Sequence, residues 1–206
     1  GHYFDDELTP EEIDFFELEG VRYYCNVMTT FTPSLRKAIE KARELEINIV
    51  APGHGPVYRK NPQKIMDDYY RFSQYAEGAG KDEVTILWGS MYGMTAKAVD
   101  FVERILQREG VKYNKLEMPQ ESESEMIATV FKSAGVIIAA PTYEYKLFPP
   151  VAAALNELGR KKVSGKTAFR FGSYGWSGGA ERELAEIMER NRMNWDFLES
   201  VEFEGA

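Results

Sequence analysis

The sequence predicts an α/β fold in which helices cover both faces of a doubly wound parallel sheet. From residue 83 onward, short apolar segments alternate with segments whose apolar residues recur at helical spacing. This alternation is typical of parallel strands joined by helices. The first and third apolar segments, 84–88 (VTILW) and 135–140 (GVIIAA), are almost free of polar residues, as expected of strands buried on both faces.

The individual elements follow from the same pattern. Apolar residues line one face of a helix that includes residues 98–106, and Gly110 is expected to end it, because glycine often terminates helices. The remaining helices are predicted at residues 121–132, 149–158 and 179–191, and the strands at residues 84–88, 111–116, 135–140, 166–171 and 201–203.

The first eighty residues are predicted to be mainly helical. Pro33 and Pro62 each open a helix, since proline is well suited to the first helical turn. A short strand is expected at residues 47–50, before a loop rich in glycine and proline. Residues 77–83 (EGAGKDE) are small or charged, as is typical of a linker, so we predict two domains, 1–80 and 81–206.

Composition and charge argue against several classes of function. The 206 residues carry a net charge of -8, which disfavours nucleic acids and anionic membranes because phosphates attract lysine and arginine. The single cysteine, Cys25, permits neither an intrachain disulfide nor a thiolate metal cluster, so a reducing cytoplasm is the expected location. No apolar run approaches the ~18 residues of a membrane span, and no membrane partner is predicted.

Three segments that follow predicted strands contain candidate ligand-binding residues, and open parallel sheets bind ligands at the carboxyl ends of their strands. The first segment is 90–95 (SMYGMT). Its hydroxyl groups and the free N–H groups of the following helix could hold a phosphate. The NTP-binding and dinucleotide-binding glycine spacings are absent, so a phosphate monoester held by neutral donors fits better than a triphosphate. The alternative is an ordinary turn.

The second and third segments place aromatic rings on loops. They are 140–145 (APTYEY) and 172–179 (GSYGWSGG). Their tyrosine and tryptophan rings are suited to enclosing a flat apolar ring system, and the glycines allow close approach of the backbone. The alternative is that these rings cover an edge of the sheet or an interface.

The order and spacing of the three segments resemble those of flavodoxins, which bind FMN. The resemblance implies a flavodoxin-like, doubly wound parallel sheet of five strands. It also implies that the first segment holds the phosphate of FMN and that the other two line its isoalloxazine ring. The cofactor-binding residues so implied are Ser90, Met91, Tyr92, Gly93, Met94, Thr95, Pro141, Thr142, Tyr143, Glu144, Tyr145, Ser173, Tyr174, Gly175, Trp176 and Gly178.

Three segments of the first eighty residues form a recognisable series, namely 21–31 (VRYYCNVMTTF), 51–58 (APGHGPVY) and 61–65 (NPQKI), and a G-S-Y-G-W segment follows later. On these segments, residues 1–80 resemble the C-terminal part of the metallo-β-lactamase-like αββα domain of flavodiiron proteins. In that family FMN relays electrons to a diiron centre that reduces dioxygen to water or nitric oxide to nitrous oxide. The resemblance implies an oxidoreductase with a rubredoxin-type or flavin reductase donor, and a head-to-tail homodimer.

Most iron ligands of that family are absent from this sequence. The family uses an H-x-E-x-D-H motif, a further histidine, a bridging aspartate and a histidine in a P-x-H-G loop. Only the last is present, as His54, and the one other histidine is His2. Two iron ions need a cluster of histidine and carboxylate ligands, so we expect the remaining ligands of the complete protein to lie upstream of Gly1 or on a separate chain.

Two alternative functions stay open at this point. The chain could be a stand-alone flavodoxin-type electron carrier without a functional diiron site, which iron content would distinguish from a reductase. It could instead be a binding module whose loops serve a protein interface, which flavin absorption in the purified protein would eliminate.

Overall fold

A parallel sheet forms the centre of the computed structural model, which describes residues 10–13, 16–78 and 80–205, with the backbone alone at residue 11. The strands are β1 (Lys81–Trp88), β2 (Tyr113–Glu117), β3 (Ser133–Ala139), β4 (Thr142–Tyr143), β5 (Lys146–Leu147), β6 (Thr167–Tyr174), β7 (Asp196–Phe197) and β8 (Val201–Glu204).

The strand order confirms the doubly wound parallel arrangement. It runs β2-β1-β3-β6, and both β7 and β8 pair with β6 in parallel on its far side. The fifth position of the predicted sheet is therefore shared by two short strands, because residues 198–200 interrupt the pairing. The strands β4 and β5 form a separate antiparallel hairpin.

Seven α-helices are present in the described part of the chain, and none of them is long and apolar enough to cross a membrane. A 3₁₀ turn at Pro10–Glu12 precedes them, and a π-helical turn (Tyr24–Met28) with a 3₁₀ turn (Thr29–Phe31) joins the first two. The helices are α1 (Phe16–Tyr23), α2 (Thr32–Arg43), α3 (Lys64–Tyr75), α4 (Met94–Arg108), α5 (Glu123–Lys132), α6 (Pro149–Arg160) and α7 (Ala180–Asn191).

Helices cover both faces of the sheet. On one face, Val99 of α4 packs against Ile86, Ile137 and Phe171 of the sheet. On the other face, α5, α6 and α7 bury their apolar residues against the sheet. Leu87 of β1 belongs to this side of the core, whereas its neighbour Ile86 belongs to the first side. Burial on both faces explains why the central strands β1 and β3 are almost entirely apolar at residues 84–88 and 135–139.

The helical segment 16–78 packs against the face that α5 covers. The Tyr24 ring is fully buried and its centroid lies 5.9 Å from that of Phe131 in α5. Lys161, which follows α6, also joins the two parts, because its Nζ donates a hydrogen bond of 2.8 Å to the Asn26 carbonyl. The segment thus shares one hydrophobic core with the sheet, and the division into domains at residue 80 stays a prediction.

Two predictions in the first part of the chain are wrong. No strand forms at residues 47–50, where Val50 makes only an isolated antiparallel bridge with Tyr58, because the glycine- and proline-rich loop returns the chain after a few residues. The predicted linker 77–83 is too long, since Lys81 already pairs with Ser133 and begins β1.

The prediction for β6 is also wrong at its carboxyl end. The strand was expected to end at Phe171, but it continues to Tyr174. Residues 172–174 pair with 202–204 of β8, so the first half of the third segment belongs to the sheet and only its second half is a loop.

Lys166 is buried immediately before β6. Its Nζ donates hydrogen bonds of 2.8 Å to the carbonyl oxygens of Phe131 and Ser133, so the side chain joins the end of α5 and the start of β3 to β6. Burial lowers the pKa of Lys166 to about 8, because removal from water disfavours the charged form.

We expect the stability to rise with pH where Lys166 loses its proton in the folded state and keeps it in the unfolded chain. The folded pKa of about 8 lies below the ordinary 10.5. The unfolded state therefore binds more protons between these pH values, and Lys166 raises the free energy of unfolding by ~1 kcal/mol from pH 7 to pH 9. Urea unfolding at both pH values measures the effect, and Lys166→Met, which cannot titrate, is the control. The same pH dependence in both proteins would contradict this account.

Candidate functional site

The carboxyl ends of three neighbouring strands open into one cavity. Because Trp88 pairs with Ala139 and Ala139 with Phe171, β1, β3 and β6 run side by side at this level of the sheet. The cavity beside their ends, here called the strand-end cavity, has a volume of about 830 Å³. Its lining consists of Ser90, Met91, Tyr92, Met94, Pro141, Thr142, Tyr143, Glu144, Tyr145, Ser173, Tyr174, Gly175, Trp176, Ser177 and Gly205.

The structure brings nearly all the predicted cofactor-binding residues to this cavity. The exceptions are Gly93, Thr95 and Gly178, which are not among the lining residues, although each of them adjoins a lining residue in the sequence. Ser177 also lines the cavity and lies within the third segment, which was predicted to line the ring system. Gly205 lines it without having been predicted, because it follows β8 and no sequence pattern marks it.

The first segment turns the chain from β1 into α4 beside the cavity. Gly93, which precedes α4, has a φ of 82°, a conformation that glycine adopts without strain. Its N–H donates a hydrogen bond of 3.1 Å to Ser90 Oγ. The N–H groups in the first turn of a helix have no acceptor within the helix, and this end of the helix dipole is positive. Since Met94 lines the cavity, this terminus of α4 borders the space where an anionic group would bind.

A hydrogen bond between hydroxyl groups joins the first segment to the third. Thr95 Oγ1 lies 3.1 Å from Ser173 Oγ, and both side chains are buried. This bond fixes the first turn of α4 against β6, and the contact of Thr95 with a phosphate stays a prediction.

The second segment forms the β4–β5 hairpin rather than an irregular loop. Its two turn residues, Glu144 and Tyr145, have φ values of 47° and 63°, which the tight hairpin requires but which side chains other than glycine adopt with strain. Two contacts hold the hairpin in place. The Leu147 N–H donates a hydrogen bond of 2.7 Å to Glu183 Oε2 of α7, and Gly179 lies against the Tyr145 carbonyl.

Aromatic rings at the mouth of the cavity are exposed. Tyr92 has 89% of its surface exposed, and Trp176 is fully exposed. Single exposed apolar side chains are common, but several exposed rings beside one cavity form the kind of apolar surface that binding sites present. Among the described residues that line the cavity, Glu144 alone carries a charge. The cavity therefore offers apolar ring surfaces and neutral hydrogen-bonding groups.

His54 lies in a different part of the molecule. It lines a second cavity of about 720 Å³ in the helical segment, together with Tyr23, whose ring centroid is 5.8 Å from that of the imidazole. Among residues 10–13, 16–78 and 80–205, no group of three or more His, Cys, Asp or Glu side chains is placed to hold a metal ion. His2 lies outside the described residues.

The parallel sheet and the strand-end cavity define a flavodoxin-like protein. A flavodoxin from the domain Archaea superimposes on 60% of this chain with a TM-score of 0.51 and 20% sequence identity, and 83% of that flavodoxin is covered. No protein-family model matches the chain.

Longer proteins match nearly the whole chain. An anaerobic nitric oxide reductase flavorubredoxin of Vibrio vulnificus is 30% identical over 185 residues, which are 87% of this chain and 37% of that protein. The flavodiiron protein of Giardia intestinalis covers all of this chain with a TM-score of 0.83 and 25% identity, and the chain covers 51% of it. Rubredoxin oxygen:oxidoreductase of Desulfovibrio gigas also covers all of this chain, with a TM-score of 0.81 and 22% identity, and the chain covers 51% of it.

The chain is therefore a homologue of flavodiiron proteins and flavorubredoxins and corresponds to a flavodoxin-like portion of them, which confirms the family resemblance. It spans 37% of the flavorubredoxin and about half of each solved flavodiiron protein.

The bond between Thr95 and Ser173 predicts energetic coupling between the first and third segments. We expect Thr95→Val, which keeps the shape of the side chain, to lower the free energy of unfolding by ~1 kcal/mol, since it leaves the buried Ser173 hydroxyl group without this partner. In a double-mutant cycle with Ser173→Ala, urea unfolding should give a coupling energy of about 0.5–1.5 kcal/mol. Ser34→Ala, which removes an exposed hydroxyl group of α2, is the control. Its effect on the free energy of unfolding should add to that of Thr95→Val without any coupling. Additive effects of the Thr95 and Ser173 substitutions would refute the coupling.

Proposed function

We propose that this chain binds FMN in the strand-end cavity and relays electrons within an oxidoreductase of the flavodiiron type. The convergence of the α4 N-terminus, the β4–β5 hairpin and the loop 175–179 on one cavity, in a homologue of flavodiiron proteins, is the observation that supports this proposal most strongly. When bound, FMN supplies the redox chemistry, while the protein binds and orients it.

The shape and chemistry of the cavity fit FMN. Its volume of about 830 Å³ lies in the range of ~300–1,000 Å³ that is usual for small-molecule sites. The α4 N-terminus and the Ser90 hydroxyl group would hold the phosphate, as helix N-termini commonly do. Aromatic residues on two sides, Tyr143 and Tyr145 from the hairpin and Tyr174 and Trp176 from the third segment, would enclose the isoalloxazine ring.

The flavin site residues are proposed to divide into two groups by position. Ser90 and Met94 belong to the phosphate end, where the helix dipole favours negative charge. Glu144 stands at the ring end as the one charged residue among the described lining residues. A carboxylate there repels negative charge on a reduced ring, and we expect it to lower the midpoint potential of bound FMN.

The substrate and the electron donor are proposed from the relatives. The flavorubredoxin of Vibrio vulnificus is named for nitric oxide reduction, and the Desulfovibrio gigas protein for oxygen and rubredoxin. We accordingly propose nitric oxide or dioxygen as the final electron acceptor, a rubredoxin-type or flavin reductase donor, and a cytoplasmic head-to-tail homodimer.

The described residues do not by themselves fit a diiron centre. His54 lies in a cavity with Tyr23 and Arg22, and the described part of the chain assembles no group of three potential ligands around it. We propose that His54 is one ligand of a site whose other ligands belong to the complete protein or to a separate chain. No iron-dependent step is assigned to the residues described.

A stand-alone electron carrier is the second candidate function. A carrier needs only the flavin site, and all the residues that line the strand-end cavity belong to residues 90–205, outside the helical segment that contains His54. Iron analysis of the protein purified from its source separates the two. About two irons per FMN would favour the reductase, whereas FMN without iron would favour the carrier.

Calorimetric titration with FMN and with riboflavin, which lacks the phosphate, tests the proposed site. We expect FMN to bind with 1:1 stoichiometry and riboflavin to bind at least about tenfold more weakly, because only FMN uses the α4 N-terminus. Ser90→Ala should lower the affinity for FMN and leave the affinity for riboflavin unchanged, while Trp176→Ala should lower both affinities. Equal affinities for FMN and riboflavin, or no binding of either, would refute the proposal.

A further inference from the structure

Arg170 is a fully buried cation of β6, the strand that carries Ser173 and Tyr174 to the strand-end cavity, and its side chain borders a separate cavity of about 420 Å³ beside α7. Arg170 lies three residues before Ser173, the first residue of that strand to line the strand-end cavity. None of its side chain is exposed, and its Nη1 donates a hydrogen bond of 2.6 Å to Glu202 Oε1 of β8. A guanidinium group removed from water needs a charged partner, and Glu202 provides it.

This ion pair lies against the backbone of two cavity segments. A Cβ atom at Gly178 would stand 2.5 Å from Glu202 Oε2, so the carboxylate supports the loop that carries Trp176. A Cβ atom at Gly172 would overlap the Ala140 carbonyl and come within 3.3 Å of Arg170 Nη2. The guanidinium group therefore lies close to Ala140, the residue before the cavity-lining Pro141.

In the described part of the chain, Arg170 has one carboxylate within hydrogen-bond distance, that of Glu202, while Glu181 and Glu189 line the cavity of about 420 Å³ from exposed positions on α7. Its Nε and Nη2 find no hydrogen-bond acceptor among the described residues. Glu202, by contrast, keeps 24% of its side chain exposed and is partly screened by water. In a site of low dielectric constant, such a cation acts on a nearby ligand far more strongly than an exposed one.

We propose that the Arg170–Glu202 ion pair positions the third segment and sets the electrostatic potential of the strand-end cavity, so that it tunes the midpoint potential of FMN bound there. This inference rests on the proposed function, since it requires FMN in that cavity. Arg170 and Glu202 act as positioning residues, because neither lines the cavity.

The two members of the pair should shift the potential in opposite directions. Glu202→Gln keeps the hydrogen bond but leaves the buried cation without a counter-charge, which favours the electron-rich reduced flavin. Arg170→Met removes the cation and leaves the negative charge of the Glu202 carboxylate without its partner, which favours the oxidised flavin. A merely structural role would move both variants in the same direction, because either substitution loosens the same loop.

The test uses the full chain with bound FMN and measures the midpoint potential by spectroelectrochemical titration. The midpoint potential gives the dissociation constant of oxidised FMN divided by that of reduced FMN, a ratio that rises when the reduced flavin binds more tightly. We expect this ratio to rise about tenfold in Glu202→Gln and to fall by a similar factor in Arg170→Met. The double variant should return close to the wild type. Arg108→Gln, which removes an arginine with 73% of its side chain exposed at the end of α4, is the control and should change nothing.

The outcomes separate this inference from the function on which it rests. If the wild type binds no FMN, the proposed function and the role of the ion pair are both refuted. If FMN binds but the single variants shift the ratio in the same direction, or not at all, only the role of the ion pair is overturned. If Arg170→Met does not fold, Glu202→Gln decides alone, and an unchanged or lower ratio overturns the proposal.

Discussion

The parallel pairing of β1 with β3 and of β3 with β6 is the constraint on which the candidate site depends. Parallel strands end on the same edge of a sheet, and the segments that leave them must begin there. The first, second and third segments are far apart in the sequence, but the register of Trp88, Ala139 and Phe171 places their origins side by side. Helices on both faces bury this sheet and hold the register fixed.

The segments around the cavity are also fastened to one another. Thr95 binds Ser173, Glu183 of α7 binds the backbone of the β4–β5 hairpin, and Arg170 binds Glu202 behind the third segment. A site whose supporting residues are themselves hydrogen-bonded can hold its shape before a ligand arrives. The strained turn at Glu144 is consistent with this arrangement, since its conformation persists only where the surroundings fix it.

Much of the sheet and of the cavity lining could be predicted from the sequence. The apolar strands and the three segments after them carry local signals, such as the run 84–88 and the glycines of 172–179. The β4–β5 hairpin could not be predicted, because two strands of two residues each are too short to show a pattern. The extension of β6 depends on pairing with β8, about thirty residues later, which no local signal shows.

Buried charges were the least predictable feature. Arg170 and Lys166 lie near apolar residues that predict β6, and charged residues are almost always exposed unless they are paired. Their partners, Glu202 for Arg170 and the Phe131 and Ser133 carbonyls for Lys166, become neighbours only in the folded chain. The sharing of one core by the sheet and by residues 16–78 likewise follows from packing, as the burial of Tyr24 against Phe131 illustrates.

The central claim is that FMN binds at the strand ends, and the His54 cavity is an alternative site of similar size in the described part of the chain. An NMR titration of the ¹⁵N-labelled chain with FMN distinguishes the two most directly. The account predicts saturable shifts of the backbone amide signals of residues 90–97, 142–147 and 173–179, with those of residues 54–58 unchanged. Shifts confined to residues around His54, or no saturable shifts, would contradict it.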